Sequence, residues 1–201
     1  VSCFGYIAFA RMVSGMGTTI FAAHSIAITA EQIVYIPGDG LRVATSTLVG
    51  NALGEKDIRK LKATGRVSIL ITLLIMVVNG IGLYLFAYPF MRLFTNSVNA
   101  ARIGSEVLRL VSFSEPFFGL MIVLEGISYG MGRTKHVFAC EAVSMWGIRI
   151  FGTFLCVNVF GLGLKAVWLC MIADNICKAI LLYIFRPKHV EENADDRGEL
   201  R

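Results

Sequence analysis

Long apolar runs alternate with short polar segments over most of the chain. A helix needs about 20 predominantly apolar residues to cross the hydrocarbon core of a bilayer. Five runs have about that length or more, and a shorter run opens the sequence. They lie at about 1–15, 21–53, 67–90, 104–129, 137–159 and 166–185. The pattern predicts an all-α membrane protein, a polytopic helical bundle of six transmembrane helices. Its first helix is truncated, so we expect the sequence to be a fragment of a longer protein.

The composition and charge pattern agree with a multi-pass membrane protein. Hydrophobic residues make up 56% of the chain and charged residues 16%, against about 45–50% and about 25% in soluble domains. The net charge of +5 comes from loops and lacks the aromatic-interleaved basic face of a nucleic-acid site, so we expect no nucleic-acid partner. Basic loops stay in the cytoplasm. The loop 54–66, with five basic residues, is therefore predicted to be cytoplasmic, as are both chain ends.

Cysteines and sequence motifs give no sign of an enzyme. The five cysteines lie in apolar runs without CxxC or Cys/His ligand spacing, and we interpret them as small core residues rather than metal ligands or disulfides. The motifs HExxH, GxSxG and Walker A are absent, and no catalytic constellation is found. We therefore expect no catalytic residue, no metal site and no cofactor.

Two of the apolar runs carry ionisable residues beside a proline. In the first, Glu31, Asp39 and Arg42 surround a predicted break at Pro37-Gly38. In the second, Glu115 directly precedes a proline. An ionisable group at membrane depth costs about 2.5–3.5 kcal/mol on insertion scales, so it is usually functional. Interrupted helices with mid-depth charges form the substrate and ion sites of many secondary transporters.

Four segments resemble the C-terminal half of the multidrug and toxic compound extrusion (MATE) family. In chain order they are FAAHSIAITAEQIVYIPGDGLRVATSTLVGNALGEKD, GISYGMGRTKH, MWGIRI and GLGLKAVWLCMIADN. They are similar to the family patterns "AAH-I-A … E … PG-G … A-T-LVGQ-LG", "G-LRG-GDT", "W-x-x-R" and "GL-G-VW-x-x-x-x-D". The resemblance covers nearly all of residues 1–186 in the right order.

This resemblance implies a fold of twelve helices in two pseudo-symmetric six-helix lobes, of which residues 1–186 are the second. It implies a secondary active transporter of the cell membrane that exports drugs or organic cations by antiport with Na+ or H+. The partners would be these small molecules, the lipid bilayer and an N-terminal six-helix lobe of the same protein. The remaining residues 187–201 are predicted to be a charged, disordered cytoplasmic tail.

The sequence departs from the family pattern at two positions that matter for ion coupling. Arg133 stands before Thr134, where the family usually has an acid. Many members have an ion-site aspartate in the helix where this chain has Glu115, and the match is not residue for residue. In one branch of the family the ion site lies in the other lobe. The resemblance therefore leaves the coupling ion open.

Each charged candidate for the ion or substrate site has a structural role as its alternative. Glu31 matches a family glutamate and is predicted to be a cation or proton site, with a structural hydrogen bond as the alternative. Glu115 is a second candidate for the same role. Arg149 and Asp174 match family positions, but buried opposite charges often only pair. Asp39 is a further candidate, although Arg42 at i+3 can neutralise it.

Four apolar residues are candidates for a drug cavity, because aromatic and soft side chains suit promiscuous binding. Lipid contact or core packing is the alternative for each of them: Phe117, Phe118, Met121 and Met145. Two other functions stay open. A lipid-linked precursor flippase of a related transporter fold would have a large basic cavity. An intramembrane enzyme would need a converging nucleophile or metal set.

Overall fold

The computed structural model describes residues 2–185, and this part of the chain is almost entirely helical, without strands. The helices are α1 (Ser2–Ser14), α2 (Thr18–Gly54), α3 (Ile58–Phe94), α4 (Val98–Ser112), α5 (Glu115–Gly130), α6 (Thr134–Val159) and α7 (Leu164–Ile184). Four of them are long and apolar enough to cross a membrane, or five if the bent pair α4–α5 is one span. The predicted all-α membrane bundle is confirmed. The predicted tail, 187–201, lies outside the described residues.

Two prolines lie inside helices, and at one of them the sequence predicts a break. The predicted break at Pro37-Gly38 is wrong, because α2 continues through Pro37 to its end at Gly54. A proline removes one backbone N–H and crowds the preceding turn. The Asn79 side-chain amide of α3 donates to the Val34 carbonyl in that turn at 3.1 Å, so a neighbouring helix hydrogen-bonds the backbone beside the proline. Pro89 likewise lies inside α3, which ends four residues beyond the expected stop, at Phe94.

The predicted span 104–129 is two helices rather than one, and its interruption is a bend of 61° between α4 and α5. Proline is favoured in the first turn of a helix, and Pro116 takes that place in α5. Two serine hydroxyls satisfy carbonyls at the end of α4. Ser112 donates to the Arg109 carbonyl at 2.6 Å, and Ser114 donates to the Val111 carbonyl at 2.8 Å. The bend therefore leaves these buried backbone groups paired.

Helices α2 and α5 touch backbone to backbone through two glycines. A Cβ added to Gly126 would lie 2.7 Å from the Arg42 carbonyl oxygen, and one added to Gly130 would lie 2.5 Å from the Ser46 carbonyl oxygen. Only a residue without a Cβ fits at such separations. The two glycines have the GxxxG spacing, which permits close helix packing in membranes. This contact fixes the two helices that form most of the site described below.

Helix α6 contains two wider, π-helical turns, at Met145–Ile150 and Leu155–Val159. Such turns insert an extra residue, change the direction of the side chains that follow, and are frequent at functional sites. The first of them carries Arg149, which is buried against α7. The second carries Cys156, which also meets α7. The π-helical turns thus set which polar side chains of α6 reach its neighbour.

Candidate functional site

A cavity of about 330 Å³ lies between α1, α2, α5, α6 and α7. Its wall combines aromatic, apolar and charged side chains. The charged members are four acids and three bases: Glu31, Asp39, Glu125, Glu141, Arg42, Arg149 and Lys178. Small-molecule sites usually have volumes of about 300–1,000 Å³ and a few polar groups in a largely apolar wall. This cavity is at the small end of that range and is unusually rich in charge.

Glu31 lies in the wall of the cavity and is 6% exposed. Its carboxylate accepts a hydrogen bond from the Tyr35 hydroxyl, one turn later on α2. Among the residues that the structure describes, no lysine or arginine lies within ion-pair distance of it. Within residues 2–185, Glu31 is therefore a buried acid whose only hydrogen-bond partner is a neutral hydroxyl, and Arg149 lines the same cavity without forming an ion pair with it. That arrangement leaves room for a mobile positive charge at the carboxylate.

An aromatic and thioether surface lies beside this carboxylate. The Tyr35 ring stacks on the Phe118 ring of α5, with centroids 3.7 Å apart and planes inclined by 17°. Met121, one turn after Phe118, also lines the cavity. The Phe118 and Met121 side chains, predicted to line a drug cavity, lie in the wall of this cavity. Aromatic faces attract cations and flat apolar groups, so this surface complements the negative charge of Glu31.

The end of the cavity nearer the α2–α3 turn carries a small ion-pair network. Asp39 and Arg42 form the expected i,i+3 pair, with 2.9 Å between Oδ1 and Nη2. Arg42 Nη1 also lies 3.5 Å from Glu125 Oε2 of α5. The Asp39 side chain is 56% exposed. Asp39 thus has a fixed cationic partner, which distinguishes it from Glu31, about 12 Å away along the helix axis.

Asp174 is the centre of a second, fully buried cluster. Its Oδ2 lies 3.1 Å from Arg149 Nε and 3.5 Å from Lys178 Nζ. The Ser144 hydroxyl bonds its carboxylate and lies 2.9 Å from its backbone carbonyl. The Arg149 guanidinium also lies 5.9 Å from the ring centres of Tyr6 and Phe9. Arg149 and Asp174 thus form the buried pair that was the alternative to a site role. This geometry joins α6 to α7 through a group with no solvent exposure.

Glu115 is buried in a different place, at the first residue of α5, and is not part of the cavity wall. It has no solvent exposure, and neither of its carboxylate oxygens has a hydrogen-bond partner among the described residues. Its Cβ would lie only 3.2 Å from a Cβ added to Gly80 of α3. Glu115 therefore has the opposite surroundings to Asp174, since none of the residues in the described part of the chain forms an ion pair with it.

Three other side chains lie where the sequence did not place them. Phe117, expected in a drug cavity, is half exposed on the outside of α5 and outside the cavity wall. Met145 is buried against Gly5 of α1 and also lies outside that wall. His24, which the sequence analysis did not single out, is buried and accepts a hydrogen bond from the Trp168 indole at 3.1 Å. Met145 and His24 thus have packing roles in this lobe, whereas Phe117 does not line the cavity.

The sequence analysis did not identify several residues of the cavity wall and of the Asp174 cluster. Tyr35 stands four residues after Glu31, a spacing that puts both on one helix face, so its hydrogen bond could have been predicted. Gln32 and Asn175 also line the cavity, and nothing in their local sequence marks them. Ser144 reaches Asp174 from 30 residues away. That contact depends on how α6 packs against α7, which no local pattern reveals.

Known proteins are similar to this chain in sequence. The MatE family model matches residues 1–155. A probable multidrug resistance protein NorM of Thermotoga maritima is 30% identical over 183 residues, which are 90% of this chain and 39% of that protein. One of Photorhabdus laumondii is 28% identical over 173 residues, covering 84% of this chain and 38% of that protein. The chain thus spans about two-fifths of the length of these relatives.

Solved structures show the same fold. The crystal structure of the eukaryotic MATE transporter AtDTX14 matches with a TM-score of 0.84 and 20% identity, over 97% of this chain and 46% of that one. A transporter of the MOP superfamily from Pyrococcus furiosus matches with a TM-score of 0.82 and 20% identity, over 96% and 43%. The family model, which covers more than half of the chain, decides the assignment. The protein described here belongs to the MatE family, the family of MATE transporters.

Proposed function

We propose that this chain is the C-terminal lobe of a secondary active transporter that exports drugs or organic cations in exchange for Na+ or H+. The observation that carries the proposal is Glu31, a buried acid in the wall of a cavity that forms no ion pair with any of the described residues. The NorM relatives are named as multidrug resistance proteins, which supports the substrate class. The transporter would act in the cell membrane together with an N-terminal six-helix lobe.

The coupling follows from competition for one carboxylate. A proton or cation bound at Glu31 removes the negative charge that would hold a cationic drug beside Tyr35 and Phe118. Drug departure leaves the carboxylate free to take up the next ion, so the two occupants exclude each other. Alternating access then requires that Glu31 is open to each side of the membrane in turn. Because the ion and the drug exclude each other, the transport of one is coupled to the transport of the other.

The other acids have different parts in this scheme. Glu115 is the second ion candidate, because its carboxylate has no hydrogen-bond partner among the described residues and is therefore costly to bury. Asp39 and Asp174 already have fixed cationic partners, so we assign them to structure rather than ion exchange. The flippase alternative would have a basic cavity, whereas the wall here has four acids and three bases. The charge of the wall therefore favours the exporter.

The test is Glu31→Gln in the full-length transporter, reconstituted in liposomes with an imposed Na+ or H+ gradient. Glutamine keeps the size and the hydrogen bond to Tyr35 but cannot carry the charge. We expect gradient-driven export of a fluorescent cationic dye to be abolished while the folded protein remains in the membrane. Glu55→Gln, at the end of the same helix and outside the cavity, is the matched control and should transport normally.

Wild-type export by the Glu31→Gln protein, with unchanged dependence on the ion and on pH, would make Glu31 structural. In that case Glu115→Gln becomes the next variant to measure. If both single variants transport like the wild type, ion coupling does not reside in this lobe.

A further inference from the structure

Two thiols meet where α6 and α7 approach the loop that joins them. Cys156 Sγ lies 3.7 Å from Cys170 Sγ, and both residues are partly buried. Cys156 belongs to the last π-helical turn of α6, and Cys170 lies six residues after the start of α7. At 1.5 Å per residue, both are within about 10 Å of the ends of their helices. The loop charges predict that these ends face the outside of the cell.

A glycine of α6 lets the Cys170 side chain of α7 lie close against this helix. A Cβ added to Gly152 would lie 3.2 Å from Cys170 Sγ and 3.8 Å from Cys170 Cβ. Gly152 and Cys156 are four residues apart and share a face of α6. A disulfide requires two Cα atoms about 4.4–6.8 Å apart with Cβ atoms directed towards each other. Cys156 and Cys170 face each other across this close contact.

We propose that Cys156 and Cys170 form a disulfide on the outer side of the membrane, by exchange with a small external disulfide. One cysteine sulfur attacks the small disulfide, forms a mixed disulfide and releases one small thiol. The other cysteine sulfur then attacks the mixed disulfide, closes the Sγ–Sγ bond and releases the second small thiol. The two cysteine protons end on the two released thiols. The cysteines are oxidised and the external disulfide is reduced, so atoms and electrons balance.

A second pair of cysteines on the same two helices serves as an internal control for the side of the membrane. Cys140 and Cys177 lie on α6 and α7 towards the opposite, cytoplasmic ends of these helices. Thiols in the cytoplasm are kept reduced, whereas disulfides persist outside the cell. The proposal therefore assigns different redox states to two cysteine pairs on one helix interface. The outer disulfide would covalently join the two helices that the Arg149–Asp174 ion pair already connects.

The experiment uses the full-length transporter in intact cells, with cysteines other than these four replaced by serine. Cells are exposed to oxidised glutathione, which is a membrane-impermeant small disulfide. Free thiols are then trapped by an alkylating reagent, and the protein is digested without reduction and analysed by mass spectrometry. We expect a cross-linked peptide that joins Cys156 to Cys170 and disappears after reduction. Cys140 and Cys177 should both carry the alkyl group.

Cys156→Ser is the matched variant. It removes the cross-linked peptide and leaves Cys170 alkylated or joined to glutathione. Alkylated Cys156 and Cys170 in the oxidised four-cysteine protein would overturn the proposal. A cross-link between Cys140 and Cys177 under the same conditions would also overturn it, because the assigned sidedness would then be wrong.

Discussion

Replacing Asp174 by asparagine tests whether its buried cluster stabilises the lobe. Asparagine keeps the shape of the side chain but removes the charge that faces Arg149 and Lys178. Breaking a buried ion pair by removing one partner costs about 3–5 kcal/mol, because the remaining charge is left uncompensated. Here two cations remain, at 3.1 Å and 3.5 Å from the lost carboxylate oxygen, so we expect the upper part of that range.

The measurement is the melting temperature of the full-length transporter in detergent, followed by size-exclusion chromatography after heating. A loss of 1 kcal/mol lowers the melting temperature by about 2–4 °C in a chain of about 150–250 residues and by less in a longer chain. The Asp174→Asn protein should therefore melt several degrees lower. Glu106→Gln is the control, because it opens an equally short but exposed pair with Lys165, at 2.8 Å, worth about 0–1 kcal/mol. Equal melting of the two variants would refute the assigned role of Asp174.

Adding Arg149→Gln to Asp174→Asn provides a second check on the same reasoning. The double variant removes one of the two uncompensated cations, so it should be more stable than the sum of the two single changes predicts. If the stability changes of the two single variants simply add, the two side chains do not interact energetically, although Arg149 Nε lies 3.1 Å from Asp174 Oδ2.

The helix contact and the topology give two further predictions. Gly126→Ala places a Cβ 2.7 Å from the Arg42 carbonyl oxygen and should lower stability by about 1–3 kcal/mol. Gly40→Ala meets nothing within 4 Å and should be neutral or stabilising. The measurement is the melting temperature of each variant, and equal melting temperatures would contradict the close contact. Single cysteines introduced at Lys60 and Asn96 should react with an impermeant maleimide from opposite sides of the membrane. Reaction from the same side would contradict the predicted orientation.

Existence of the helices could be predicted from the sequence, whereas their continuity could not. A run of 20 or more apolar residues has few alternatives in a membrane, so every expected apolar segment is found as a helix. Whether a proline breaks a helix depends on donors from elsewhere in the fold. The break expected at Pro37 is absent, with Asn79 of α3 beside it. The bend near Pro116 is present, with two serines that cap the preceding helix.

The residues of the candidate site could likewise be predicted only in part. Glu31 and Asp174 could be found because an acid in an apolar run is rare and therefore conspicuous. Their different surroundings could not be found, since one meets a hydroxyl from its own helix and the other meets side chains from a neighbouring helix. Phe117 and Met145 were chosen for their chemistry alone. Which face of a helix lines a cavity depends on packing, and the weakly amphipathic helices of a membrane bundle do not encode that face clearly.

The α2–α3 hairpin has a practical consequence for structural work on this protein. The first nine residues of α3, IRKLKATGR, are mostly polar, and at 1.5 Å per residue they extend about 13 Å beyond the apolar part of the helix. The tip is ordered by the Asp57 cap on the Lys60 amide, at 2.9 Å, and by the Lys60–Glu55 ion pair, at 2.6 Å. The predicted orientation places this tip outside the membrane, on the cytoplasmic side. A small protein fused into it in register with both helices would provide an alignment marker for electron microscopy of a transporter otherwise hidden in a micelle.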